Sequence, residues 1–153
     1  MSATDMRFVV DTNVLSQLGG SRRASAYFRK NARIPSEVLY EARGFPDYYA
    51  LCKNEYATSP AVLNHLTRVL KTIETMDTQL IDLYANEGNA DPFVVACALD
   101  GRDKDEYCLF GYDWVVVTGD RAVRDKAQEF GLKVLSKEEF ASMIDASQGE
   151  TQI

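Results

Sequence analysis

The pattern of apolar positions predicts short buried strands separated by helices. Residues 7–10 form a mostly apolar run that ends abruptly at Asp11, and residues 114–118 form a second, stronger run. Residues 32–35 and 132–135 are weaker strand candidates. Short apolar runs of this kind are typical of strands that are covered on both faces of a sheet.

Apolar residues at helical spacing lie between these runs, and capping residues mark where helices begin. Ser59-Pro60 and Asp91-Pro92 each place a cap directly before a first-turn proline. The stretch 47–56 is aromatic and gives no clear signal, and 100–113 is predicted to be a charged connection. The predicted helices span about 12–18, 21–32, 36–42, 60–76, 77–84, 91–99, 121–130 and 136–144.

Strands that alternate with helices predict an α/β protein with a three-layer α/β/α architecture and a central, mainly parallel sheet. A chain of 153 residues is the usual size of one domain. We expect a single domain over residues 1–144 and a frayed polar tail over 145–153.

Composition excludes several classes of protein. No apolar run approaches the roughly 20 residues of a membrane span, and the first residues do not resemble a signal peptide, so we expect a cytoplasmic protein with no membrane partner. The cysteines, three in number, lack zinc-ligand spacing and are expected to be reduced. The formal charge of −6 argues against nucleic-acid binding, unless bound cations offset converging carboxylates.

Four acids follow strands or begin helices where a parallel sheet places its sites. Asp11 and Asp120 follow the two strongest strands, Asp91 begins a buried helix, and Glu41 lies on the helix after the second strand. Glu37, one turn before Glu41, is the alternative to it. Such acids repel one another unless a cation lies between them, and hard oxygen ligands favour Mg²⁺ or Mn²⁺. Each acid could instead be a simple cap or turn residue.

Four segments of the chain resemble the PIN-domain family, in the family's order. They are residues 8–15 (FVVDTNVL), 34–41 (IPSEVLYE), 90–98 (ADPFVVACA), and 116–120 (VVTGD) followed by 131–135 (GLKVL). The resemblance spans nearly the whole chain, and every segment carries one of the four acids. The stretch 45–56 and the long connection before Trp114 depart from the smallest members of the family.

The resemblance implies a metal-dependent endoribonuclease similar to the VapC-like toxins of bacterial toxin–antitoxin modules. By position, Asp11, Glu41, Asp91 and Asp120 would be the acidic quartet that binds Mg²⁺ or Mn²⁺ and hydrolyses RNA. Asn13 and Thr118 would support these acids by hydrogen bonding. The implied partners are an RNA substrate, a cognate antitoxin and a second copy of the chain.

Basic and aromatic residues offer weaker signals. A local basic cluster could guide RNA to the site, although a solvated helix face is the commoner role. It comprises Arg22, Arg23, Arg29, Lys30 and Arg33. Tyr48, Tyr49 and Tyr56 could stack on unpaired bases or contact a partner protein. His65 is expected to lie half-exposed beside an apolar helix stripe.

Three other functions are weighed against the nuclease. A phosphatase that uses Asp11 as a nucleophile would need a second acid two residues later, where this chain has Asn13. A dinucleotide-binding enzyme would need a glycine-rich loop after the first strand. A catalytically silent PIN-like module that binds a partner protein is the remaining alternative.

Overall fold

The computed structural model describes residues 5–72 and 90–150, apart from the side chains of residues 90, 91 and 150. The strands are β1 (Met6–Val10), β2 (Ala32–Pro35), β3 (Glu55–Tyr56), β4 (Asp113–Val117) and β5 (Lys133–Leu135). The helices are α1 (Thr12–Arg23), α2 (Ala26–Asn31), α3 (Ser36–Glu41), α4 (Tyr48–Leu51), α5 (Pro60–Lys71), α6 (Ala90–Glu106), α7 (Arg121–Glu129) and α8 (Lys137–Glu150).

The strands form one sheet in the order β3-β2-β1-β4-β5, and every pairing is parallel. The chain steps outward from β1 to β2 and β3, and then returns to place β4 on the other side of β1. Connections between parallel strands are nearly always right-handed, so this reversal places helices on both faces. The predicted three-layer α/β/α architecture is confirmed.

The core lies on both faces of β1 and β4. On one face, Phe8 of β1 packs against Phe140 of α8 with ring centroids 4.6 Å apart, and Phe28 of α2 contacts Phe140 at 6.2 Å. On the other face, α6 packs against α5, α7 and β4, and its residues 94–99 are buried. None of the helices in the described ranges is both long and apolar enough to cross a membrane.

Several element boundaries differ from those predicted. Helix α6 continues to Glu106 through the charged residues that were assigned to a connection, because Gly101 lets the helix lie directly against Trp114, where a Cβ would be 2.4 Å from the ring. Helix α8 continues through residues 145–150, so the predicted tail is largely helical. The predicted helix 77–84 lies outside the described residues, as does the last part of the predicted helix 60–76.

In the first half of the chain, the predicted start of one helix is wrong, and the stretch without a prediction contains regular elements. Gly19 interrupts α1, with a φ of 82°, but the helix resumes and ends at Arg23, so the next helix begins at Ala26 after a Ser25 cap and not at residue 21 as predicted. The unassigned stretch 47–56 holds α4, a short 3₁₀ turn and β3. Its two-residue strand extends the sheet beyond β2.

Candidate active site

The candidate site lies at the carboxyl end of the sheet, where β1 and β4 end side by side. Val10 pairs with Val117, so Asp11 and Thr118 follow directly on neighbouring strands. The strand order also reverses between β1 and β4, and open parallel sheets leave a crevice for ligands at this point. The fold therefore places Asp11 at the position where such proteins bind ligands.

Asp11 is a buried carboxylate, with only 2% of the residue exposed. Its Oδ1 accepts a hydrogen bond from the backbone N–H of Val14 at 3.0 Å, which caps α1, and its Oδ2 accepts one from the Thr118 hydroxyl. Burial raises the pKa of Asp11, and repulsion from the Asp120 carboxylate adds to that effect, while the bonds from Thr118 and Val14 oppose it. Asp11 and Asp120 thus lie close enough to interact.

Thr118 connects the two acids through its hydroxyl group. That hydroxyl donates to Asp11 and accepts from the backbone N–H of Asp120 at 3.0 Å. Asp120 in turn caps α7, where its Oδ1 accepts from the N–H groups of Ala122 at 2.8 Å and Val123 at 3.2 Å. Both acids are therefore helix caps, and each cap uses one carboxylate oxygen.

Glu41 joins this arrangement from α3. The hydroxyl of Thr12 donates to Oε2 of Glu41 at 2.6 Å, and Thr12 is the residue directly after Asp11. The contact lies at the surface, whereas Asp11 is buried. It favours Glu41 over Glu37 as the third acid, because it ties Glu41 to the first turn of α1.

Asp91 and Asn13 are placed less completely. Asp91 is the second residue of α6, and α6 runs from the carboxyl end of the sheet to the amino end, where Asp105 accepts a bond from Trp114 at 2.6 Å. The Asp91 side chain lies outside the described set. Asn13 is exposed in the first turn of α1. Among the described side chains, no group of three or more His, Cys, Asp or Glu is arranged to hold a metal ion.

The predicted basic cluster lies at the opposite end of the sheet. Helix α1 leaves the carboxyl end at Thr12 and ends at Arg23, and the following α2 leads into the start of β2. Arg22 is bound to Asp145 at 3.0 Å and Arg23 to Asp47 at 2.9 Å. The exposed Arg29 and Lys30 are on α2, at the same amino end. The topology thus does not bring this cluster to the acids.

The aromatic and histidine predictions also need revision. The Tyr56 hydroxyl donates to the buried Asp100 at 2.6 Å, and burial, followed by this bond, raises the pKa of Tyr56. Tyr56 is therefore part of the packing beside Trp114. Tyr49 is exposed but precedes β3, at the amino end of the sheet. His65 is buried, with its Nε2 3.0 Å from Oδ2 of Asp103, so the prediction that it is half-exposed is wrong.

Two residues near the acids were missed from the sequence. Tyr40 precedes Glu41 and is 60% exposed, and the Arg43 guanidinium lies over its ring, 4.0 Å from the centroid. The available signal was an aromatic and a basic residue three positions apart beside a candidate acid, at a predicted helix end.

Comparison with known proteins adds no family assignment, since neither the models of protein families nor the curated proteins give a match to this chain. The resemblance to the PIN-domain family stays a prediction from the residues and their order.

Proposed function

We propose that this protein is a divalent-metal-dependent endoribonuclease that hydrolyses RNA phosphodiesters at the carboxyl ends of β1 and β4. The observation that carries the proposal is the buried Asp11 carboxylate, joined through Thr118 to Asp120 at the point where the strand order reverses. Glu41 is tied to the neighbouring Thr12. A buried acid beside a second acid is an unfavourable arrangement that needs a functional reason.

The chemistry of these acids, rather than their spacing in the structure, suits a hard cation. Asp11, Asp120 and Glu41 offer carboxylate oxygens, which suit Mg²⁺ or Mn²⁺ better than zinc or copper. The pKa of Asp11 is raised by burial and by Asp120, and a nearby positive charge would relieve both effects. Asp91 is the expected fourth acid, because α6 begins at this end of the sheet.

The protein's own residues would orient the acids. When bound, the cation would polarise the phosphodiester and make an attacking water more acidic. The Thr118 hydroxyl fixes the Asp11 carboxylate and the backbone of Asp120 relative to each other. Thr12 fixes Glu41 at the surface, beside the buried acid. Caps at α1 and α7 hold the two aspartates against rotation, so the donor atoms are ordered in advance.

The test compares Asp11→Asn with Asp125→Asn, which removes an exposed acid of α7. Mn²⁺ titration calorimetry and an RNA-cleavage assay are made on both variants and on the wild type. We expect saturable Mn²⁺ binding and metal-dependent cleavage in the wild type and in Asp125→Asn, and loss of both in Asp11→Asn. A folded Asp11→Asn protein that cleaves RNA as fast as the wild type would remove the mechanism.

A toxin role is the biological form of this proposal, and it rests on the family resemblance. It predicts that expression arrests growth through the acidic site, so that Asp11→Asn abolishes the arrest. A cognate antitoxin would then be the protein partner that restores growth.

One observation favours the alternative, a silent PIN-like module that binds a partner protein. Tyr107, Leu109 and Phe110 follow α6 on a turn at the amino end of the sheet, and each is at least 87% exposed. Adjacent exposed apolar side chains are typical of contact surfaces. A folded wild type that neither binds Mn²⁺ nor cleaves RNA would favour this module.

A further inference from the structure

Tyr40 and Arg43 form an exposed stacked pair on the surface beside the acids. Arg43 lies over the Tyr40 ring at 4.0 Å, and its Nη1 donates to the Tyr40 carbonyl oxygen at 2.8 Å. This second contact fixes the guanidinium relative to the ring. In the part of the chain that the structure describes, Arg43 makes no ion pair with a carboxylate, so its charge is available to an anion.

Helix α3 begins at the carboxyl end of the sheet and places Tyr40 next to Glu41, which contacts Thr12. Helix α3, which carries Tyr40, follows β2, whereas Asp11 follows β1 and Asp120 follows β4. The order of these strands is β2-β1-β4. Arg121 is next to Asp120, with its side chain 83% exposed and only a loose 3.9 Å contact to Asp125. A polyanion that crosses the acids would therefore meet a cation on either side.

We propose that the Tyr40–Arg43 pair is a subsite for one unpaired base of the substrate and for the phosphate beside it. The inference rests on the proposed nuclease function and adds to it a base-binding subsite formed by these two residues. An exposed aromatic ring stacks on a base of any sequence, but only on a base that is free of its own helix. Arg43 adds a charge contact to the phosphate, which the net charge of −6 would otherwise repel.

The location of the pair separates it from the other exposed tyrosines. Tyr49 is 85% exposed, but α4 lies at the amino end of the sheet, away from the acids. Arg29 is likewise exposed at the amino end, on α2. Tyr49→Ala and Arg29→Ala are therefore matched controls for Tyr40→Ala and Arg43→Ala, since they remove the same side chains from the amino end of the sheet, away from the acids.

The experiment measures binding by fluorescence anisotropy, with a fluorescein-labelled 12-nucleotide oligouridylate and an RNA duplex of equal length, in EDTA and again with Ca²⁺. We expect the wild type to prefer the single strand. Tyr40→Ala should weaken that binding about tenfold, as loss of one stacked base does, while Tyr40→Phe, which keeps the ring, stays within about twofold. Arg43→Ala should lower the slope of log K against log salt by about 0.7.

Several results would overturn the subsite. These are equal binding by Tyr40→Ala and Tyr49→Ala, equal affinity of the wild type for single strand and duplex, or no saturable binding of oligouridylate. The nuclease proposal fails separately: selective loss of binding in Tyr40→Ala without any cleavage by the wild type would leave an RNA-binding site and no enzyme. If Tyr40→Ala and Tyr49→Ala both cleave RNA equally well, the nuclease proposal stands and the subsite is rejected.

Discussion

Thr118→Val tests whether one hydroxyl holds the candidate site together. Thr118 is 3% exposed, and its hydroxyl donates to Asp11 and accepts from the N–H of Asp120. Valine has nearly the same shape but no hydroxyl, so the substitution removes both hydrogen bonds and leaves packing largely intact. It therefore isolates the polar contribution of this residue.

The expected loss follows from the two bonds. A hydrogen bond to a charged group contributes about 1.5–3 kcal/mol, and a neutral bond about 1 kcal/mol. Asp11 is 2% exposed, so water cannot readily replace the lost donor. We expect Thr118→Val to lower the free energy of unfolding by about 3 kcal/mol, which for this chain length lowers Tm by about 6–12 °C.

The same change should weaken metal binding. The loss of Thr118 frees the Asp11 carboxylate to rotate and removes an interaction that lowers the pKa of Asp11, so protons compete better with the cation. We expect Mn²⁺ affinity to fall about 10-fold to 100-fold, the usual effect of losing a residue that orients a ligand.

The assays are urea unfolding in EDTA and Mn²⁺ titration calorimetry, with Thr118→Ser as the control. Serine keeps the hydroxyl and loses only a methyl group. Thr118→Ser should therefore lower the free energy of unfolding by about 1 kcal/mol and keep the Mn²⁺ affinity within a few fold of the wild type. If Thr118→Val and Thr118→Ser unfold at the same urea concentration, the hydroxyl does not organise the site.

Two further predictions concern charge. The pKa of Asp11 is raised by burial, so ionisation of Asp11 destabilises the folded protein as the pH rises through that pKa. At pH 7, Asp11→Asn should therefore unfold at a higher urea concentration than the metal-free wild type. This difference should shrink toward pH 3. Asp47→Asn should lower the free energy of unfolding by about 2 kcal/mol, because the buried Arg23 loses a bidentate partner whose side chain is 29% exposed. Arg23 lowers the pKa of Asp47, so this stabilisation is present at neutral pH and is lost as the pH falls through that pKa. Asp145→Asn, which breaks the exposed pair with Arg22, should shift the unfolding midpoint much less, and equal shifts would contradict the argument from burial.

Strong local signals in the sequence were sufficient for strands β1, β2, β4 and β5, but not for β3, and for most helix starts. The runs at 7–10 and 114–118 are strands β1 and β4 with shifts of one residue, and the cap at Ser59 is where it was expected. The placement of Asp11 and Asp120 at the same edge of the sheet followed from the same signals, because parallel strands bring their carboxyl ends together. That their two strands are neighbours came only from the structure.

Other features depended on contacts between distant residues. Helix α6 extends through a charged stretch because Gly101 fits against Trp114, which lies 13 residues further along the chain, and no local pattern predicts that contact. The separation of the basic cluster from the acids depends on the direction of α1 across the sheet, which charge counting along the sequence cannot show.

The sequence by itself determined the period of the strongest elements, most of the caps that begin the helices and the acids that follow the strands, since these are local properties of the chain. Only the tertiary structure decided which side chains meet. It linked Thr118 to both acids, tied Glu41 to Thr12 and placed Tyr40 beside Glu41 at the carboxyl end of the sheet. The physical reason is that strand order and helix direction bring together residues far apart in sequence, and periodicity carries no information about that order.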